Sequence, residues 1–304
     1  MSVSTPVTED ERRTQSGLLV GLFCYILWGF LPLLFDLLKE TGSFTVVANR
    51  TVWSLFFVGA ILIATRKIGD VKAALSDLRT LRSMLFSSVL LAANWLIYVW
   101  AVDSGQVLQG SLGYFINPLI NVVLGMLLLG ERQTPLQWLS IIVAVAAIGV
   151  QAIGLGAIPF VALSIAITFA VYGYFRKTAK VSSTSGLFVE TLILVPVAVA
   201  YLAYSFWQQG GLGLEADPHY LMLLILTGPA TAVPLLMFAF AVQRLRLTTI
   251  GMLQYVSPSI QFAIAIFVLH ESINAVQLLS FGMIWLSLII YSADSMWRRR
   301  TAMG

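Results

Sequence analysis

The sequence predicts an all-α polytopic membrane protein: ten transmembrane helices arranged as two inverted five-helix repeats. Three observations lead there. Hydrophobic residues fill 59% of the 304 positions and charged ones only 11%, with a mean hydropathy of +0.89, so a water-soluble globule would lack the polar residues to cover itself. Ten apolar stretches each reach the roughly 17 to 25 residues that span hydrocarbon, and runs such as LSIIVAVAAIGV lack the alternation a β-barrel strand needs. Finally, the chain matches itself when shifted by 140 residues.

The spans are read at 17–38, 45–65, 83–102, 107–129, 135–154, 157–175, 186–206, 220–242, 249–269 and 274–293. The first follows TEDERRTQ, is too long for a signal-peptide core and offers no small-residue cleavage site after LWGFLPLLF, so it is expected to stay as helix one. Cys24, the single cysteine, lies inside it and leaves no intrachain disulfide to form. Between spans two and three, RKIGDVKAALSDLRTLR places Val71, Leu75 and Leu78 on one helical face, the pattern of a short interfacial helix. The glycine-rich, acidic WQQGGLGLEADPH follows span seven, with Trp207 expected at the headgroup boundary. His219 and His270 fall near helix ends, and neither a metal site nor a cofactor is expected.

Charge fixes the orientation. With the amino terminus cytoplasmic, 16 of the 18 basic residues fall in inner loops and tails, Lys39 falls outside and Arg50 is left within a span. Dropping one helix would scramble that bias. Residues 1–16 and 294–304 are then cytoplasmic tails in a bacterial inner-membrane protein. The net charge of +4 reports topology and calls for no nucleic acid; the expected partners are the lipid bilayer and a small-molecule solute, with a homodimer left open.

The 140-residue shift superposes Pro118 on Pro258, Glu131 on Glu271, Gln137 on Gln277 and Ser140 on Ser280. The chain is therefore read as repeats at 17–154 and 155–293. Five spans is an odd number, so the second copy enters from the opposite face, which is the geometry of alternating access around a central site. Glu131 and Glu271 stand just before the capping residues Thr134 and Asn274 and are read as helix-end electrostatics.

Polar residues at membrane depth mark the candidate site. Tyr114, Asn117 and Asn121 share a face of span four, and their counterparts on span nine are Gln254, Ser257 and Gln261. Each stripe straddles a proline, Pro118 or Pro258, which frees a carbonyl and kinks its helix. Asn94, Trp95 and Tyr98 on span three and Trp28, before Pro32, on span one extend the set. Such groups add only about 1 kcal/mol each as helix glue; two matched stripes point instead to a cavity lining.

The same shift pairs Arg50 with Glu190 and Asp36 with Arg176. Arg50 and Glu190 are roughly 15 Å apart along the membrane normal at about 1.5 Å per residue, too far to meet. Two arrangements are open. Asp36 with Arg50 and Arg176 with Glu190 form mirrored gate or clamp pairs, or Arg50 faces the cavity to attract a carboxylate while Glu190 carries a coupling proton.

GLFCYILWGFLP, NRTVWSLFF, ANWLIYVWAVDSGQVLQGSLGYFINPLINVVLGMLLLGER, YGYFRK and ETLILVP resemble the RarD branch of EamA-type transporters, in the drug/metabolite transporter superfamily, over about residues 17–293. The resemblance implies an inner-membrane permease with an export role, often labelled for chloramphenicol sensitivity or resistance. It also implies a cavity built by both halves, with Arg50, Asn94, Trp95, Tyr98, Tyr114, Asn117, Arg176 and Glu190 at the branch's characteristic positions.

An amide, hydroxyl and aromatic lining suits a small neutral or zwitterionic metabolite or drug. Sugar phosphates would need a basic cluster, and without a P-loop transport is driven by a gradient, by exchange, or is facilitative. A non-transporting receptor or assembly subunit is the alternative. An intramembrane enzyme is disfavoured, since HExxH, paired intramembrane aspartates and a plausible GxSxG are all missing.

Overall fold

The computed structural model describes residues 9–104, 107–155, 160–209, 217–268 and 275–303. Helices α1 (Glu9–Asp36), α2 (Ser43–Ala64), α3 (Ile68–Ser76), α4 (Leu78–Asp103), α5 (Val107–Leu129) and α6 (Pro135–Leu155) are followed by α7 (Phe160–Thr178), α8 (Ser183–Gln209), α9 (Pro218–Val242), α10 (Leu247–Gln254), α11 (Val256–Phe267) and α12 (Ala275–Met303). Among the described residues, nine of them are long and apolar enough to cross a membrane. Their outward faces are apolar: Ile153, Val197 and Trp207 are among the most exposed side chains. That surface suits hydrocarbon and would be untenable in water.

Local signals explain the helix starts. The Asp77 carboxylate accepts the backbone N–H of Thr80 at 3.0 Å and its hydroxyl at 2.5 Å, and the hydroxyl first, then the N–H, holds the carboxyl below its usual range. Helix α6 opens with a capping box ahead of Pro135: Gln137 N–H donates to Thr134 Oγ1, and Thr134 N–H donates to Gln137 Oε1.

Two expectations need correction. The short helix after α2 forms, but Leu75 and Leu78 are exposed, and its buried face is Val71 with Ala74, packed on Leu62, Met84 and Val189. A helix docked on α8 and α4 buries whichever face meets protein, and the apolar residues on the other side are left to the interface. Span nine, read as continuous over 249–269, is two helices that meet at Tyr255. Pro258 has no N–H for the carbonyl one turn earlier, Tyr255 N–H reaches back only three residues to Met252, and the buried Tyr255 hydroxyl anchors the joint by donating to the Phe115 carbonyl at 3.2 Å. Residues His270, Glu271 and Asn274 lie outside the described residues.

The helix pairings exchange under the repeat shift. Moving each partner by one repeat turns α1–α9 into α7–α4 and α5–α7 into α1–α10/α11, while α2–α8, α6–α12 and α5–α10 map onto themselves, and all of these pairings are made. Helices α6 and α12 pack together at one side, where Ser287 donates to the Ser140 carbonyl at 2.8 Å and Ser280 to the Ala147 carbonyl at 2.9 Å. The remaining spans surround the centre.

Candidate functional site

A cavity of about 180 Å³ opens between the halves, walled by α1, α2, α4, α5, α7, α9, α10 and α11. From α1, α2 and α4 it receives Trp28, Pro32, Arg50, Asn94, Trp95 and Tyr98; from α5, α10 and α11 come Tyr114, Gln254, Ser257, Pro258 and Gln261. Residues read as polar intrusions on separate spans thus converge.

Each side chain is held by a specific neighbour. Asn94 donates its amide to the Ile165 carbonyl at 2.9 Å and to Thr168 Oγ1 at 3.1 Å, fixing α4 on α7. Gln261 reaches the Trp28 carbonyl at 3.4 Å, and the rings of Tyr98 and Tyr114 meet edge to face at 5.6 Å. Arg50 lays its guanidinium over the Trp95 ring, 4.1 Å from the centroid, with Phe35 at 5.8 Å. Indole is the best of the aromatic faces for a cation. It offers no acceptor, however, and buried Arg50 Nε has no hydrogen-bond partner among the described residues. The hydroxyl of Tyr25, another lining residue, is likewise without one.

Two predicted lining residues are elsewhere. Asn117 and Asn121 are buried, not on the wall: Asn117 donates to the Ala166 carbonyl at 2.6 Å, and Asn121 donates to Asn117 Oδ1 at 3.0 Å and to Gln254 Oε1 at 3.3 Å. They form an amide chain that joins α5 to α7 and α10. Helical spacing locates a polar face, and here that face is divided between the cavity and a neighbouring helix. The pairing of Asp36 with Arg50 is also absent: no ion pair joins them among the described residues, because Asp36 lies on the exposed end of α1 while Arg50 turns inward onto the rings.

The other pair is made. Arg176 Nη1 lies 3.7 Å from Glu190 Oε1, with both side chains fully buried. Ser87 on α4 donates to Glu190 Oε1 at 2.5 Å and Tyr172 to Oε2 at 3.4 Å, while Arg176 Nη2 donates to the Ser183 carbonyl at 3.1 Å. Gly186 makes this possible, since a Cβ there would sit 2.0 Å from Arg176 Nη1. Sequence reasoning passed over Ser87, Tyr172 and Gly186; the only available signal was a glycine one helical turn before Glu190.

An aromatic layer separates this pair from the cavity. Trp28 contacts Phe169 and Phe238 at 5.8 Å, and Tyr172 stacks on Phe238 at 5.9 Å while its hydroxyl faces Glu190. Beyond the layer, further side-chain bonds join the helices. Lys177 donates to the carbonyls of Val242 and Leu245, and Gln243 donates to those of Arg176 and Val181.

Glu131 acts at a helix end, but not that of its own helix. Its oxygens accept Leu247 N–H at 2.6 Å, Thr248 N–H at 3.0 Å and the Thr248 hydroxyl at 2.6 Å. A carboxylate from the first half thus occupies the positive end of α10, one arm of the broken span.

Over residues 15–151 the chain matches the EamA-like transporter family. It is similar to Protein RarD of Salmonella typhi, 38% identical over 96% of this chain and 99% of that protein, and to an uncharacterized transporter of Vibrio cholerae, 34% identical over 95% of this chain and 96% of that one. A solved crystal structure shares the fold with a TM-score of 0.69 at 15% identity, covering 91% of this chain and 97% of its own.

Proposed function

The chain belongs to the RarD branch of the EamA-like transporter family, and from that premise we propose that it moves a small zwitterionic solute by alternating access, in the direction of export. It is a multi-pass membrane transporter, and a bacterial inner membrane fits it. The finer reading rests on one observation: Arg50 lines a central cavity with a buried, unpartnered N–H and, among the described residues, no carboxylate in an ion pair with it. A solute carboxylate supplies both the charge and the acceptor. The aromatic wall of Trp28, Trp95, Tyr98 and Tyr114 suits the apolar remainder. A volume of about 180 Å³ is below the roughly 300 to 1,000 Å³ of sites for drug-sized ligands, which favours a single metabolite over a peptide or nucleotide.

Alternating access is supported by the exchange of helix pairings between residues 17–154 and 155–293, the expected signature of inverted repeats. The cavity sits toward the α1–α2 end, and the bonds of Lys177, Gln243 and Ser87 close the α7–α8 end. With both termini cytoplasmic, as the basic loops indicate, this is an outward-facing arrangement. The test is flux of labelled amino acids, amphenicols and simple metabolites into proteoliposomes, with thermal unfolding read on the same panel. Saturable flux of a carboxylate-bearing solute, lost in Arg50→Gln, is expected. Binding without flux would mark a receptor instead, and a strong binder indifferent to Arg50→Gln would remove the assignment of this cavity.

A further inference from the structure

At the end of the bundle opposite the cavity, α1, the start of α6, the α9–α10 connection and the last turns of α12 enclose a second hollow of about 280 Å³. We infer that it binds a phosphate group, carried by an anionic lipid headgroup or by a soluble phosphoester. Three arginines, Arg244, Arg246 and Arg298, line it together with the hydroxyl-bearing Thr14, Thr249 and Tyr291, the last two bonded to each other at 3.2 Å. Planar forks and hydroxyls are the donor set that phosphate oxygens accept from most readily.

The local charge balance leaves room for an anion. Two carboxylates among the described residues stand near the hollow: Glu131 is answered by the α10 N-terminus and by Arg246 Nε at 3.6 Å, and Asp294 pairs through Oδ1 with Arg298 Nε at 3.4 Å while its Oδ2 is buried without a hydrogen-bond partner. Arg244 has no such partner. It lies 3.4 Å above the Phe240 ring and donates only Nη1, to the Phe240 carbonyl at 3.0 Å. Its remaining N–H groups have no acceptor among the described residues. Burial and then the nearby Arg13 charge lower its pKa. A general enrichment of basic residues at this end would follow from topology alone. Topology does not require three arginines to converge on one hollow with hydroxyls between them, and basic pockets between transmembrane helices are known headgroup sites. Met296 and Trp297, both exposed on the same stretch of α12, place the hollow beside the lipid interface. Because helices of both halves form it, an occupant restrains the end of the bundle that closes beneath the cavity.

The test uses the full chain in nanodiscs of phosphatidylcholine, with either phosphatidylglycerol or inorganic phosphate added at constant ionic strength, and thermal unfolding as readout. A rise in the unfolding midpoint is expected and is largely lost in Arg244→Gln and in Arg298→Gln; the second residue is 59% exposed, so that variant keeps its fold. A rise with phosphatidylglycerol alone identifies a headgroup, and a rise with inorganic phosphate identifies a soluble ligand. Arg82→Gln, an exposed basic residue outside the hollow, retains the full response. Identical responses of the native chain and both hollow variants, or an equal loss in Arg82→Gln, would overturn the site.

Discussion

Removing one member of the Arg176–Glu190 pair is expected to destabilise the protein far more than removing both. Glu190→Leu leaves Arg176 fully buried with the Ser183 carbonyl at 3.1 Å and the Met84 sulfur at 3.6 Å as its hydrogen-bond acceptors, and with Nε already unpartnered. An uncompensated buried charge of this kind costs about 3 to 5 kcal/mol. Arg176→Met strands Glu190 with only the hydroxyls of Ser87 and Tyr172, and a similar penalty follows. In the double variant an apolar pair of comparable volume fills the space, an exchange that is often neutral or better. The cycle should therefore return a coupling of at least about 3 kcal/mol, far outside the roughly 0.5 kcal/mol within which independent sites add. Unfolding in mixed detergent micelles, followed by tryptophan fluorescence, measures it. Gly186→Ala adds an internal control: its Cβ takes the position of Arg176 Nη1, so it should be costly in the native background and nearly harmless in Arg176→Met. Single-variant costs that simply sum would refute the reasoning, because the two groups would then not be compensating each other.

Three further outcomes are expected. Arg50→Lys keeps the charge but loses the fork, so the apparent affinity in the flux assay should fall at least about tenfold, equivalent to roughly 1.4 kcal/mol, with the unfolding midpoint little changed. Gly228→Ala should destabilise by about 1 to 3 kcal/mol through overpacking, because its Cβ would lie 2.5 to 2.8 Å from the Cβ, carbonyl carbon and oxygen of Trp53, and backbone cannot swing aside as a flexible side chain can; micelle unfolding checks this. Glu131→Ala removes the acceptor for two N–H groups and a hydroxyl at the start of α10, so a loss of about 2 kcal/mol is expected in the same assay, with Glu131→Gln recovering part of it.

How much of this was legible in the sequence depended on whether a signal was periodic or spatial. Apolar length and the distribution of basic residues gave the helical membrane architecture, and nine of the eleven proposed cavity residues do line the cavity. The Arg176–Glu190 pair was legible because both its spacing of 14 residues and its repeat equivalence pointed the same way. Identical arithmetic proposed Asp36 with Arg50, and there it failed: repeat equivalence transfers backbone position, whereas a side chain chooses among the partners it finds, and Arg50 found Trp95. Asn117 and Asn121 turned out to be inter-helix amides for a related reason, since a stripe says which residues face together and not whether protein or cavity lies opposite. Glu131 was assigned to a helix end correctly but to the wrong helix, because its partner lies 116 residues away.

In the proposed transport role, the failed mirror pair divides labour between the halves. Equivalent positions carry Arg50 and Glu190, yet Glu190 is satisfied by three side chains while Arg50 rests on rings with Nε unpartnered. An unsatisfied buried donor costs about 1 to 3 kcal/mol, and a hydrogen bond to a charged group contributes about 1.5 to 3. Pairing Arg50 internally would stabilise the empty protein and leave nothing for the solute to supply. Leaving it open stores that difference as binding energy, available only to a ligand that brings an acceptor, and more so if it brings a negative charge. Burying Glu190 in a complete pair has the opposite consequence: its charge is answered within the protein, behind an aromatic layer, where it holds α4, α7 and α8 together beneath the cavity. On the proposed transport reading, the half that holds Glu190 commits its deep charge to the scaffold, and the half that holds Arg50 leaves its own for the solute.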